Sequence, residues 1–339
     1  MSFLAYLHKV VNRENLTASE AESLMDLILS GSVSTSQIAA ALVALRMKGE
    51  TPDEVLGLAR GMRARAVRVP SVGRGPLLDT CGTGGDGSCT FNISTVAALV
   101  AAGAGAKVAK HGNRSMSSQC GSADILEGLG VNIELAPEQV AECINQTNIG
   151  FLYAPLIHPA VRHAQPARAE LKLRTVFNIL GPVTNPAGAT AQLVGAASVH
   201  AAELIAQTLA SLGISRGFVV RGHDGLDEIT TTTETLVLEI RGGAIAHQTV
   251  SPEQFGIPRA KPEDLKGGDR DTNCAIARRV LAGEPGPARD VVLVNASAAL
   301  VAAGIASTFS EGMESAAKSI DSGAARRTLE VLVDFTQHT

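Results

Sequence analysis

Residues 77–130 read LLDTCGTGGDGSCTFNISTVAALVAAGAGAKVAKHGNRSMSSQCGSADILEGLG, and this stretch decides the fold. A short apolar run, Leu77-Leu78, ends in Asp79-Thr80 and breaks into a glycine-rich loop over 82–87. A polar segment covers 88–95, and a helix of small apolar residues is expected from about 95 to 104. A second run, Lys107-Val108-Ala109, ends in another polar loop over 110–118, and a second helix is expected over 121–129. Strand, loop, helix, repeated once, places both loops on the same side of a parallel sheet. Open α/β sheets bind ligands there, at the carboxyl ends of their strands.

The loop chemistry points to phosphate. Gly82, Gly84, Gly85 and Gly87 free the backbone to present N–H groups in a concave nest. Ser88, Thr90, Asn92, Ser94 and Thr95 add short donors ahead of a helix N-terminus, which itself favours anions. Lys110, His111 and Arg114 bring positive charge from the second loop. An ordinary capped turn would explain the glycines alone; two polar loops in adjacent units favour the phosphate reading. Two familiar fingerprints fail in context. Gly82-x-Gly84-x-x-Gly87 fits the dinucleotide spacing, but the next strand ends in Lys110-His111, where that motif needs an acidic residue. Ser88-Cys89 stand where a P-loop needs Lys-Ser or Lys-Thr. Asp86 beside a bare pyrophosphate is repulsive unless a metal, a water or a ribose hydroxyl lies between.

Downstream, an expected strand over 217–221 runs into His223-Asp224-Gly225-Leu226-Asp227-Glu228. Three carboxylates in one loop repel each other unless they share a cation. Such oxygen ligands suit Mg²⁺, which is held by one or two carboxylates plus substrate phosphates and waters. A solvated acidic loop would explain them alone; opposite a phosphate nest the metal reading moves ahead.

GTGGDG (82–87), FNIST (91–95), KHGNRS (110–115) and GSAD (121–124) occur in this order, followed by HPAVRHAQPARAELKLRTVFNILGPVTNPA (158–187) and GLDEIT (225–230). Together they resemble the anthranilate phosphoribosyltransferase family, enzymes of tryptophan biosynthesis, over nearly the whole chain. The resemblance implies a Mg²⁺-dependent transfer of phosphoribose from 5-phosphoribosyl 1-diphosphate to anthranilate, releasing diphosphate. It matches Gly82, Gly85, Asp86, Thr90, Asn92, Ile93, Ser94 and Thr95 to diphosphate and ribose contacts. Lys110, His111, Gly112, Asn113, Arg114, Ser115, Met116, Ser117 and Ser118, with Ser122, match a mobile loop over the sugar phosphate. Ser94, Asp227 and Glu228 match the metal ligands. A bound anthranilate carboxylate needs a cation, and Arg grips it with two prongs. The residues alone do not choose among Arg162, Arg168 and Arg174; the resemblance selects Arg168, with Gly82 and Asn113 beside the amine. His111, His158 and Pro182 are further pocket candidates. An aromatic amine is already neutral at pH 7, so no general base is named.

The expected fold class is α/β: a small all-helical N-terminal domain and a larger α/β domain with a mainly parallel central sheet, of the nucleoside phosphorylase/phosphoribosyltransferase kind. Residues 1–66 read as four helices, with starts at Ser2, Thr17 or Ser19, Ser34 or Thr35, and Thr51-Pro52 with Glu54 in the first turn. Residues 67–76 are a Pro/Gly-rich linker and 77–339 the α/β domain, with 159–186 packing against the helices. A helical module this small buries little by itself, so it should pack on the rest of the chain or on a second subunit; together with the resemblance this implies a homodimer through these helices. Residues 162–174 read as a basic helical segment, 178–186 as a turn-rich connection, and 231–250 as a hairpin turning at Gly242-Gly243.

Composition narrows the classes. The chain has 339 residues, 45% hydrophobic and 18% charged, which suits a folded chain with a sizeable core. Aromatics are scarce, Trp is absent and the net charge is −4, which argues against nucleic acid as a partner. Cysteines at 81, 89, 120, 143 and 274 form no C-x-x-C pair and suit a reducing cytoplasm. His8, Lys9 and Arg13 interrupt the N-terminal apolar patch, so neither a signal peptide nor a membrane span is expected. Two rivals remain: a pyrimidine nucleoside phosphorylase-like enzyme and a non-catalytic nucleic-acid-binding paralogue.

Overall fold

The structure, a computed structural model, describes residues 2–73, 75–115 and 119–339. Four helices open it: α1 (Phe3–Val11), α2 (Ala18–Leu29), α3 (Thr35–Lys48) and α4 (Pro52–Ala64). Capping boxes set three of the starts, pairing Thr17 with Glu20, Ser34 with Gln37 and Thr51 with Glu54. Glu54 does more than cap. Its buried carboxylate accepts from Leu16 N at 2.9 Å, Thr51 N at 2.9 Å and Lys48 Nζ at 2.9 Å, tying the ends of three helices together.

The α/β part runs β1 (Leu77–Gly82), α5 (Ile93–Gly103), β2 (Lys107–Gly112), α6 (Ser122–Gly128), α7 (Pro137–Thr147), β3 (Ile149–Tyr153), α8 (Ala154–Ile157), α9 (Gln165–Leu171), α10 (Phe177–Val183), β4 (Ala191–Gly195), α11 (Val199–Ser211) and β5 (Arg216–Gly222). A hairpin, β6 (Thr235–Arg241) and β7 (Ala244–Val250), precedes α12 (Arg270–Leu281), α13 (Pro287–Ala302), α14 (Phe309–Asp321) and α15 (Ala324–His338). The strand order is β3-β2-β1-β4-β5-β6-β7, parallel through β5 and antiparallel beyond.

Alternation along β5 shows why both faces are covered. Phe218 and Val220 face a core built on the alanine-rich α5 and on α13, while Val219 faces the other side. That second core continues through Leu180 and Ala202 into Leu24, Ile38 and Leu42 of the N-terminal helices without a break. Residues 164–183 supply part of this junction. Here the structure departs from the expected turns over 178–186: α10 forms because Phe177, Ile179, Leu180 and Val183 bury together, and Pro182 sits near its last turn.

The sheet has a seam. β1 and β2 pair only at Leu77↔Lys107 and Leu78↔Val108. Beyond that point β1 follows β4 and β2 follows β3. Side chains fill the gap. Asp79 Oδ1 accepts from His111 N at 3.1 Å, and Lys110 Nζ donates to Thr80 O at 2.5 Å. Asn185 Nδ2 donates to both Asp79 Oδ2 and Ala109 O, each at 2.8 Å.

Candidate active site

Gly84, Gly85 and Gly87 all take positive φ, +63°, +68° and +80°, so the loop after β1 curls over the end of the strand. Two other glycines make room for one carboxylate. A Cβ on Gly82 would lie 2.6 Å from Asp227 Oδ2, and one on Gly195 would lie 1.5 Å from Asp227 O. Asp227 can therefore press against β1 and β4, where its Oδ2 accepts from Gly84 N at 2.8 Å. Gly195 escaped the sequence reading because the residue that presses on it, Asp227, is far along the chain. Asp86 accepts from Ser88 N at 3.2 Å and, weakly, from Asp227 N at 3.3 Å. Thr90 is held by an antiparallel bridge to Lys266.

Glu228 points at the start of α5, where its Oε1 accepts from Ser94 N at 3.1 Å. Burial, and then Asp86 nearby, push the Asp227 carboxyl up to about 7. Asp227 keeps some solvent contact at the mouth of the cleft, so its neighbours dehydrate it without sealing it in. Glu228 is raised well above its ordinary value, first by burial and then by Asp227. Neither forms an ion pair among the described residues. Asp224, the third carboxylate of the acidic loop, is spent on Leu226 N at 3.1 Å and Thr230 Oγ1 at 2.7 Å. The described residues hold no cluster of three His, Cys, Asp or Glu able to bind a metal unaided. Two dehydrated carboxylates beside Ser94 fit a cation that takes its remaining ligands from substrate oxygens and water.

The second loop needs a correction. Lys110, His111 and Gly112 were expected in a mobile loop, but they are the last residues of β2. Backbone pairing with β3, from Lys110↔Phe151 to Gly112↔Tyr153, extends the strand, while polar partners hold it across the seam. Lys110 is buried, and that burial pushes its ammonium down. The loop proper starts at Asn113, whose N–H donates to Ser122 Oγ at 3.2 Å. Asp124 gathers its stem, accepting from Ser115 N at 3.1 Å and Gly121 N at 2.8 Å. Arg114 turns to Asp124 and Glu127, at 3.1 and 2.8 Å. Met116, Ser117 and Ser118 lie outside the described residues. Asn92 and Ile93 open α5, followed by Ser94 and Thr95.

Of the three open arginines, Arg162 is exposed and Arg174 donates to Gly84 O at 2.5 Å. Arg168 is half-buried, its guanidinium 5.0 Å from the Phe177 ring centroid, with no carboxylate in ion-pairing reach among the described residues. Burial pushes it down from the usual guanidinium range. One turn along α10 from Phe177, Gly181 O meets His111 Nδ1 at 3.3 Å. The His111 and His158 rings are 5.1 Å apart. Burial pushes His111 down, and burial reinforced by His111 takes His158 to about 3, so both rings are neutral at pH 7. Thr184's backbone favours protonated His158 without a contact of hydrogen-bond geometry. Thr95 Oγ1, His111 Nε2 and both His158 ring nitrogens are buried with no hydrogen-bond partner among the described residues. Polar atoms buried this way call for a ligand or water.

A helical bundle set on an α/β domain, with backbone N–H donors facing dehydrated carboxylates, is the architecture of a glycosyl transferase. Residues 4–66 match the helical bundle domain of the glycosyl transferase family, and residues 74–326 match its a/b domain. The chain is 59% identical to anthranilate phosphoribosyltransferase of Solibacter usitatus, over 99% of both chains. The crystal structure of the Thermus thermophilus anthranilate phosphoribosyltransferase is 46% identical with a TM-score of 0.93, covering 98% of this chain and 99% of that one. The Saccharomyces cerevisiae enzyme in complex with PRPP and Mg is 28% identical with a TM-score of 0.91, covering 99% of this chain and 98% of that one. The chain belongs to the anthranilate phosphoribosyltransferase family.

Proposed function

We propose that this cleft transfers phosphoribose from 5-phosphoribosyl 1-diphosphate to anthranilate, with Mg²⁺ held by Asp227, Glu228 and Ser94. One observation carries the reading: two dehydrated, unpaired carboxylates face the Gly84 N–H and the α5 N-terminus across one cleft. Groups that bind anions and groups that repel them share a site when a cation joins them to a phosphate.

The diphosphate lies on the 82–85 backbone beside the N-terminus of α5, whose helix dipole favours the negative charge that builds as it departs. Bound Mg²⁺ supplies positive charge to that leaving group. The amine lone pair of anthranilate forms the new C1–N bond while the C1–O bond breaks, its electron pair leaving with the diphosphate and C1 inverting. The surplus amine proton passes to solvent, and no side chain is assigned to take it. Arg168 holds the anthranilate carboxylate, with Gly82 and Asn113 beside the amine. Neutral His111 and His158 wall the pocket without competing for that carboxylate. Asn113, Arg114, Ser115 and Ser122 stand on the sugar-phosphate side of the cleft.

Loss of anthranilate fluorescence tests the reading. It is expected only when Mg²⁺ and 5-phosphoribosyl 1-diphosphate are both present. Equal rates in chelator would overturn the metal assignment. Turnover of a pyrimidine nucleoside with phosphate instead would move the chain to the phosphorylases.

The same proposal includes a homodimer through the N-terminal helices. Val11 is 61% and Met47 71% exposed, Leu4 lies on α1 with Val11, and α1 packs on α3. A monomer mass in sedimentation at micromolar protein would overturn it. A cytoplasmic setting belongs to the proposal too, and the five free thiols suit it. No helix among the described residues is long and apolar enough to cross a membrane.

A further inference from the structure

The residue that follows the two carboxylates is held by a side chain 66 residues further along the chain. Asn295 lies on α13 and is fully buried. Its Oδ1 accepts from Ile229 N at 2.9 Å, and its Nδ2 donates to Ile229 O at 2.9 Å. The second Nδ2 hydrogen goes to Val291 O, one turn back on the same helix, at 2.8 Å. Backbone groups fix the polarity: the Ile229 N–H can only donate, and the two carbonyls can only accept. The amide orientation is thereby assigned by the network. One side chain pairs with both main-chain polar groups of Ile229, as a neighbouring strand would. Both residues are buried, so a freed N–H or carbonyl has no water to turn to.

The consequence falls on Asp227 and Glu228. Asp227 presses on Gly195 of β4, where a Cβ would lie 1.5 Å from Asp227 O. Glu228 Oε1 accepts from Ser94 N on α5 at 3.1 Å. Ile229 is tied to α13, which packs against both α5 and β4. These three fixings differ in kind. The Gly195 contact only blocks movement toward β4, and the Ser94 bond spends an oxygen of a proposed metal ligand. The Asn295 pair restrains the backbone and leaves every carboxylate oxygen free. Like charges side by side push the loop that carries them outward. We propose that Asn295 is a positioning residue for the cation: it holds the 227–229 backbone against the mutual repulsion of Asp227 and Glu228, so that both carboxylates stay in the cleft beside Ser94. This rests on the metal placement proposed above.

Manganese binding to the full chain tests it without turnover. Mn²⁺ stands in for Mg²⁺, inorganic diphosphate supplies the substrate oxygens, and the free Mn²⁺ signal in electron paramagnetic resonance reads the bound fraction. In Asn295→Ala the dissociation constant for Mn²⁺ is expected to rise about tenfold, as when the support of a metal ligand is loosened. KM for anthranilate is expected to change less than about twofold, since its carboxylate is held elsewhere. Ser297→Ala is the control. The Ser297 Oγ donates to Phe309 O at 2.7 Å, so that variant also loses a hydrogen bond of α13, but not one to Ile229. Its Mn²⁺ constant should stay within about twofold of the parent. Should Asn295→Ala fail to fold, Asn295→Ser, whose side chain is too short to reach both Ile229 groups, carries the same expectation. An unchanged Mn²⁺ constant, an equal rise in Ser297→Ala, or an equal loss for anthranilate would overturn the proposal. A parent chain that binds no Mn²⁺ with diphosphate would instead overturn the metal assignment, and the proposal with it.

Discussion

Glu54 and the Asp227–Glu228 pair are all carboxylates withdrawn from water, and the protein treats them in opposite ways. Glu54, in the helical bundle, has two backbone N–H donors and the Lys48 ammonium, each at 2.9 Å. Asp227 and Glu228 each have one backbone donor, at 2.8 and 3.1 Å, with the Asp86 charge pressing on the first and the Asp227 charge on the second. A fully partnered buried charge is scaffold. Two dehydrated carboxylates set side by side, with no ion pair among the described residues and only the buried Lys110 partly offsetting Glu228, are suited to bind a cation.

The largest expected effect tests the scaffold side. Glu54→Ala leaves Lys48 buried without its partner and should cost about 3–5 kcal/mol in urea denaturation. Activity per folded molecule should hold, since Glu54 is remote from the cleft. A loss under about 1 kcal/mol would erase the contrast. On the other side, Asp227→Asn with Glu228→Gln should lower kcat by roughly 10²-fold or more. The metal-free double variant should melt no lower than the parent, because neutralisation relieves repulsion. A Mg²⁺ titration of rate decides: equal midpoint and plateau in variant and parent would make this a solvated loop.

A smaller effect sharpens the contrast with a buried cation. Arg168→Ala should weaken anthranilate use by about 1.5–3 kcal/mol, and 5-phosphoribosyl 1-diphosphate use much less. Equal losses would show that Arg168 serves the fold, as Glu54 does. The smallest effect concerns pH. His158 ordinarily titrates near 6.5 and is held at about 3 in the fold. Between those values the unfolded chain binds a proton that the folded chain refuses. Stability is therefore full above about 6.5 and falls as pH drops toward 3, by about 1.4 kcal/mol per pH unit at most. His158→Gln should flatten that slope in denaturation measured from pH 7 to 4; an unchanged slope would mean that His158 is hydrated.

Apolar periodicity and cap residues made the helices legible. Thr17, Ser34 and Thr51 sit where their capping boxes require, and the Gly242-Gly243 turn joins β6 to β7. The two loops at one edge of a parallel sheet were legible as well, because glycine and short polar residues punctuate that pattern. The ends of β1 and β2 were not. Asp79, Lys110 and His111 look like loop residues in a sequence, and ladders to β4 and β3, far along the chain, keep them in strands. The same blindness hid Gly195, whose neighbour in space, Asp227, is distant in the chain. For α10, Pro182 signalled a turn, and burial of four apolar side chains outweighed it.

The seam between β1 and β2 has a consequence for how this sheet can vary over generations. A ladder bond is drawn from backbone atoms that almost every residue brings, so most codon changes leave it untouched. Past Leu78 and Val108 the two strands are joined instead by the side chains of Asp79, Lys110 and Asn185. There the spacing of the sheet is itself encoded residue by residue. A single inherited substitution at any of the three can widen or narrow the gap between the strands that carry the two loops of the cleft, with the rest of the sheet left in register.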